Sequence, residues 1–322
     1  MTKTISIQTH GGTELLQMKS GDLKKPGKGE VLISHTAIGI NFIDIDFRKG
    51  IYNCHLPYVP GIEACGYVEE IGEGVEGINI GDRYAYATAR GGAYSEQRII
   101  KADKLVAVPD YISDEEAAAS LLKGMMAHLL LRRTFYVKPG DKILVHAAAG
   151  GLGSLLCQYA YHLKATVIGT VGSQEKAEYA KAYCHHVINY REQDFVKQVY
   201  DITAGQGVSV VFDSVGNDTF NKSLDCLVKF GLMVSYGQSS GQVPLFEPAL
   251  LRKNSLFLTY PSIYDYKHNR MELILSADEV WNLIKNQIIK SNIYRKYSLE
   301  EAALAHQAIE ERQTIGSSIF VL

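Results

Sequence analysis

The stretch "HAAAGGLG", His146 to Gly153, carries almost no side-chain chemistry. What it can offer is bare backbone, able to approach a bulky anion and point N–H groups at it. The spacing Ala148-x-Gly150-x-x-Gly153 is the dinucleotide fingerprint with alanine in the first glycine position. Gly150 would let the chain approach a pyrophosphate, and Gly153 would let a helix pack closely on a strand. Small residues at such a turn also serve packing alone, so the flanking elements must decide.

A second group of residues bears on the choice of cofactor. An NAD site places a carboxylate at the end of the second strand, where it accepts hydrogen bonds from the ribose. Here that strand, "ATVIGTVGSQEK", runs into Gly172, Ser173 and Gln174. Ser173 can donate to a 2′-phosphate and Lys176 can pair with it. Glu175, the next residue along, could instead reach back to a ribose. The pattern favours NADPH over NADH.

The elements that would position these groups are legible. After the turn "KPGD" the apolar runs "KILVH", "TVIGT", "HVIN", "VSVVFD", "GLMVSY" and "SLFLTY" alternate at first with helical segments over Gly151–Leu163, Gln174–Cys184, Glu192–Thr203 and Thr219–Val228. Repeated strand–helix–strand units predict a doubly wound parallel sheet. Upstream, residues 1 to about 112 read as short alternating strands cut by glycines, an all-β module such as a small barrel. A helical region then opens at "SDEE", where Ser113 and Glu116 have capping-box spacing, and runs through Leu131. Helices around Met271–Lys290 and Glu300–Gln313, with Ser298 and Glu301 again at capping-box spacing, precede a last strand "SSIFVL". These C-terminal pieces are expected to rejoin the first domain, giving 1–123 with 266–322 as one domain and 124–265 as the other.

Composition bounds the partners. With 322 residues and 46% hydrophobic content the chain suits two domains. Lys plus Arg at 33 against Asp plus Glu at 35 leaves no global field for nucleic acid or an anionic membrane. The N-terminal segment reads as a strand, not a signal peptide, and the apolar run Ala117–Leu131 is broken by Lys123 and His128. A soluble, cytoplasmic protein is expected. Five scattered cysteines without a C-x-x-C pair suggest neither a disulfide framework nor a zinc knuckle.

Several motifs in order, "GINFID" (Gly39–Asp44), "AAAGGLG", "VINYRE" (Val187–Glu192), "DSVG" (Asp213–Gly216) and "GSS" (Gly316–Ser318), resemble the NADPH:quinone oxidoreductases. These form the zeta-crystallin-like, zinc-free branch of the medium-chain dehydrogenases/reductases. The resemblance spans essentially the whole chain and implies a GroES-like β-barrel catalytic domain, a Rossmann cofactor domain and a homodimer. It places Asn41, Phe42, Ile43 and Asp44 at the nicotinamide end of NADPH, and Gly151 and Leu152 at its pyrophosphate. Ser173, Lys176, Tyr190 and Arg312 would surround the 2′-phosphate and adenosine, and Val215, Ser239 and Ser240 the rest of the adenine and ribose path.

The wider superfamily includes zinc enzymes, whose cysteine ligand is replaced here by Asn41 and whose Gly-His-Glu is replaced by Gly61-Ile62-Glu63. Asn and Ile cannot replace thiolate and imidazole at a tetrahedral zinc, so no metal is expected and Glu63 reads as a structural carboxylate. Met126, Asp46 and Tyr260 depart from the threonine, tyrosine and arginine common in the family, and Cys54 and His55 lie in a loop near the expected substrate mouth.

The expected reaction is NADPH-dependent reduction of a quinone or related acceptor. Such an acceptor is electron-poor and its oxyanions can take protons from solvent, so no catalytic residue is assigned. Asn41, Asp46, Tyr52 and Met126 are the candidate substrate pocket, with Tyr52 either a donor to a quinone oxygen or a loop aromatic packing on Asn41 or Phe42. The alternatives are a reductase of activated C=C bonds, which needs a positioned proton donor, and an NADPH-binding sensor or RNA-binding protein with little turnover.

Overall fold

The computed structural model describes residues 1–266 and 269–322. In chain order the first strands are β1 (Thr2–Ser6), β2 (Gln17–Gly21) and β3 (Glu30–Ile40), followed by helix α1 (Phe42–Lys49). Then come β4 (Glu63–Ile71), β5 (Arg83–Tyr86), β6 (Gln97–Lys101), β7 (Val106–Ala107) and α2 (Asp114–His128). The alternating region is β8 (Lys142–Val145), α3 (Gly151–His162), β9 (Thr166–Val171), α4 (Gln174–Ala180), β10 (His186–Asn189), α5 (Phe195–Ile202), β11 (Val208–Asp213), α6 (Phe220–Asp225), β12 (Leu227–Ser235), β13 (Phe257–Thr259) and α7 (Ile263–Tyr266). The chain closes with α8 (Arg270–Lys285), β14 (Ile293–Tyr297), α9 (Ala302–Glu310) and β15 (Ser317–Val321).

The chain divides into two compact units, one of Met1–Met125, Lys267–Lys285 and Ser291–Leu322, the other of Met126–Tyr266 and Asn286–Lys290. In the first, a sheet of order β14-β15-β3-β4-β5-β7, with β6 also paired to β3, wraps a core that includes Ile33, Ile38, Val68, Tyr86 and Phe320. Only β14 and β15 pair in parallel; the other pairs are antiparallel. This sheet is the β-barrel that the resemblance leads one to expect of the first domain.

The expectation of an all-β module to residue 112 is corrected by α1. A short mixed stretch, FIDIDFRK, becomes helix because both ends are specified. Asn41 and Asp44 form a capping box at its start, and Gly50 takes φ 75° at its end, where a left-handed residue costs glycine nothing. Further on, Ser113 Oγ accepts the Glu116 N–H at 3.1 Å, starting α2, which passes at Leu129 into a wider turn through Thr134.

The second unit carries a six-stranded, wholly parallel sheet of order β10-β9-β8-β11-β12-β13. Numbered within the unit, that order is third, second, first, fourth, fifth, sixth, the doubly wound arrangement whose order reverses beside the first strand. The helices are shorter than the apolar pattern suggests. Asp194 caps α5 by accepting the Val196 N–H at 3.0 Å, so that helix starts at Phe195 and not at Glu192. The long C-terminal helix stops at Lys285 instead of Lys290, because Gln287 adopts φ 56°. Asn286–Lys290 instead groups with the second unit, where the Gln158 carboxamide clasps Lys290: its Nε2 donates to the Lys290 carbonyl at 3.1 Å and its Oε1 accepts the Lys290 N–H at 2.8 Å.

Candidate functional site

At the carboxyl end of β8 the chain makes the fingerprint turn. Ala147 takes φ 52°, the Gly150 N–H donates to the Ala147 carbonyl at 2.9 Å, and Gly150 is the N-cap of α3. The first intrahelical bond is from Ser154 N–H to the Gly150 carbonyl at 2.9 Å. The N–H groups of Gly151, Leu152 and Gly153 therefore precede the helix's own ladder. A Cβ on Gly153 would lie 2.1 Å from the Ala147 carbonyl oxygen, so no other residue fits. Gly150, Gly151 and Leu152 are only half-buried, leaving this backbone accessible at the point where strand order reverses.

Beneath the turn lies a polar chain that the sequence reading did not find. His146 is fully buried, with Nδ1 2.8 Å from Thr170 Oγ1 and Nε2 2.9 Å from Ser223 Oγ. Ser223 in turn approaches Asp213 Oδ2 at 3.4 Å and donates to the Thr219 carbonyl at 2.9 Å. Asp213 is also fully buried and fully provided: Oδ1 accepts the N–H groups of Val215 (2.7 Å) and Gly216 (3.1 Å), and Oδ2 accepts the Thr219 hydroxyl at 2.7 Å. Burial lowers the His146 pKa, keeping the ring neutral. The ends of β8, β9 and β11 are thus tied together by side chains.

The groups assigned to the 2′-phosphate gather only in part. Ser173 caps α4, its Oγ accepting the Lys176 N–H at 3.3 Å, which leaves its O–H able to donate outward. A Cβ on Gly172 would meet Tyr190 Oη at 3.0 Å and Arg191 Nε at 3.6 Å, so both side chains fold over the Gly172–Ser173 turn. Arg191 was missed, although it stands in the quoted "VINYRE"; a cation directly after the third strand is the signal that was available. Arg312 belongs to the other unit and ends α9 with φ 58°. Ser239 and Ser240 lie against the β11 loop. Their N–H groups donate to the carbonyls of Ser214 (3.1 Å) and Val215 (2.8 Å), and Ser240 Oγ donates to Val215 O at 2.7 Å.

In the first unit Asn41 is buried and its Nδ2 donates to Glu63 Oε2 at 3.0 Å. Glu63 also accepts the Leu122 N–H (2.6 Å) and pairs with Lys123 Nζ (3.3 Å). A fully buried carboxylate needs such donors, and Lys123, which the sequence shows only as a break in an apolar run, supplies the compensating charge. Gly39 opposes Glu63 across β3–β4, where a Cβ would sit 2.4 Å from Glu63 Oε2. Phe42 and Ile43 are half-buried, whereas Asp44 is fully enclosed. Asp46 is buried on α1 and Met126 is buried on α2. The Tyr52 ring packs on Phe47, with ring centroids 5.6 Å apart. Cys54 is half-buried, His55 is exposed, and the other cysteines are buried thiols. Among the described residues no group of three or more His, Cys, Asp or Glu is placed to hold a metal ion, and no helix is long and apolar enough to cross a membrane.

Comparison with known proteins agrees with this geometry. The family model "Alcohol dehydrogenase GroES-like domain" matches residues 27–110 and "Zinc-binding dehydrogenase" matches 151–274. The chain is 45% identical over 326 residues to quinone oxidoreductase 1 of Escherichia coli, covering 100% of both chains. It is 42% identical over 331 residues to a 2-haloacrylate reductase of a Burkholderia species, covering 100% of this chain and 99% of the other. Among solved structures it is similar to the E. coli quinone oxidoreductase complexed with NADPH, with a TM-score of 0.97 at 45% identity and full coverage of both chains.

Proposed function

Because the chain belongs to the quinone oxidoreductase family of the medium-chain dehydrogenases/reductases, we propose that it reduces quinones with NADPH. The observation that carries this reading is the fingerprint turn. Its free N–H groups open α3 beside the strand-order reversal of a doubly wound sheet, the arrangement that takes a dinucleotide pyrophosphate. NADPH supplies the hydride; the protein's part is to bind, orient and exclude water.

Gly150–Gly153 hold the pyrophosphate. Ser173, Lys176 and Tyr190, with Arg191 added, favour the 2′-phosphate, and the missing carboxylate after β9 removes the repulsion an NAD site would impose. Val215, Ser239 and Ser240 are assigned to the adenine and ribose path. The assignments of Arg312 to the 2′-phosphate, of Asn41–Asp44 to the nicotinamide end, and of Asn41, Asp46, Tyr52 and Met126 to the acceptor pocket rest on the resemblance.

The reaction is read as zinc-independent. Asn41 spends its amide on Glu63, Ile62 is apolar and buried, and Glu63 is already paired with Lys123, so the residues present do not fit a tetrahedral zinc. Homodimer formation is supported by β13, which ends the parallel sheet as an edge with Phe257 57% exposed and is followed directly by Tyr260, 51% exposed. Such an edge needs cover, and pairing with a second copy across a two-fold axis supplies it. Five unpaired thiols fit a reducing, cytoplasmic compartment.

A second reading, reduction of an activated C=C bond, is favoured by the 2-haloacrylate reductase relative. Steady-state NADPH oxidation with a panel of quinones and a panel of 2-haloacrylates and enones tests both. Faster turnover of quinones, surviving exhaustive chelation, is the expected result; preference for the C=C panel would replace the first reading with the second.

A further inference from the structure

The resemblance sets Asp44 at the nicotinamide end, yet its carboxylate faces inward and is fully buried. Oδ2 accepts the Asn41 N–H at 2.9 Å and the Tyr94 hydroxyl at 3.1 Å. Oδ1 is equally enclosed and has no hydrogen-bond partner among the described residues. A buried ionised carboxylate ordinarily collects donors on both oxygens, so one orphaned oxygen marks a group that can hold a proton.

The chain behind Asp44 has one direction. The Arg48 guanidinium can only donate, so His306 Nδ1, 3.1 Å away, accepts. His306 Nε2–H then donates to Tyr94 Oη at 2.9 Å, and the Tyr94 hydroxyl donates to Asp44. Arg48 is held in turn by Glu310 at 2.7 Å, and Lys49 also pairs with Glu310. The other charged or titratable groups acting on this chain are Lys123 from α2, Glu63 from β4 and Tyr58, which acts on Tyr94.

We propose that Asp44 is a positioning residue for the Asn41 turn: ionised, it clamps the turn through the Asn41 N–H; protonated, it loosens it, so that engagement of the nicotinamide end follows the proton on Asp44. The inference rests on the reading that this turn meets the nicotinamide. Burial pushes the Asp44 carboxyl up to about 7, against the donors Asn41 and Tyr94 and the charge of Lys123, with Glu63 pushing further upward. A negative group at a helix N-terminus is the stronger cap, so affinity should improve as pH rises through that region.

The test is the pH dependence, from 5.5 to 8.5, of the KM for NADPH, of kcat and of NADPH binding by fluorescence. The comparison is between the parent, Asp44→Asn and Tyr94→Phe. The parent KM should fall about three- to tenfold across an inflection near neutrality, as expected from the strength of a helix cap, with kcat moving less. Asp44→Asn, which keeps an acceptor but cannot ionise, should flatten the profile. Tyr94→Phe should move the inflection upward by about one pH unit through the lost charge-assisted bond. An inflection that persists in Asp44→Asn, or that Tyr94→Phe leaves in place, overturns the proposal.

Two further measurements keep it separate from the reading beneath it. On acidification from pH 8 to 5 the unliganded Asp44→Asn protein should lose more stability to urea than the parent. Asp44 contributes stability that is present at low pH and is lost as pH rises towards its folded value, so equal losses count against the buried titration. Asn41→Ala with unchanged NADPH binding and turnover would overturn the nicotinamide assignment of the turn, whatever the urea result.

Discussion

Each unit buries a neutral histidine in a chain that ends at a carboxylate, and the two carboxylates are provided for differently. In the second unit the order is Thr170, His146, Ser223, Asp213; in the first it is Arg48, His306, Tyr94, Asp44. Asp213 takes two backbone N–H groups and a hydroxyl, and its oxygens are both engaged. Asp44 takes one N–H and one hydroxyl on a single oxygen. The first arrangement ties its loops to a carboxylate with both oxygens engaged; the second leaves one oxygen where a proton can sit. Burial alone does not settle how a carboxylate is held: the number of donors that folding brings to it differs between the two.

The comparison is most open to attack at Asp213. Asp213→Ala would strand the Val215 and Gly216 N–H groups and the Thr219 hydroxyl, all buried, and should cost at least about 3 kcal/mol, since each stranded group costs about 1–3. Urea unfolding reads this, and a loss under 1 kcal/mol would show that the chain beneath the fingerprint holds nothing in place.

His306 sharpens the contrast next. Burial, followed by the Arg48 charge, depresses its pKa to about 3. The unfolded chain therefore takes up a proton first as pH falls below the ordinary histidine value, and stability is lost on acidification. His306→Gln keeps a donor and an acceptor without titrating, and should remove roughly 2 kcal/mol of the loss seen between pH 6.5 and 5. An unchanged pH slope would mean that His306 is not held neutral.

Groups resting on these frameworks should matter less to folding and more to choice of ligand. Lys176→Ala should raise the KM for NADPH on the order of tenfold and leave that for NADH within about twofold, from the loss of one charge-assisted pair. Equal losses would remove Lys176 from the 2′-phosphate. Tyr52→Phe should be the mildest, costing less than about tenfold with simple quinones, because its ring already packs on Phe47 and no obligatory proton donor is required. A loss of 10² or more, with enones reduced faster than quinones, would make Tyr52 the general acid of a C=C reductase.

Much of this was written locally in the chain. The six apolar runs became six parallel strands, and the fingerprint opened α3 at Gly151, because period and small-residue spacing are properties of a few adjacent residues. The Ser113 and Ser298 caps formed where their spacing placed them. Helix ends were less legible. Gln287 and Arg312 adopt left-handed backbone without being glycine, and nothing in their identity announces it. A helix inside the expected all-β region depended on Asn41 and Asp44 reading each other across one turn.

The polar interior could not be read in advance. Lys123 looked like an interruption and is the counter-charge of Glu63, 60 residues away in sequence. His146 sits beside the fingerprint, but its partners Thr170 and Ser223 are 24 and 77 positions distant. His306 reaches Tyr94 across 212 positions. A side chain's type sets what bonds it can make, and that much the sequence determined. Which donors reach a buried carboxylate, and therefore whether both its oxygens are engaged, as in Asp213, or one is left to hold a proton, as in Asp44, is decided only when distant segments are packed together and water is removed.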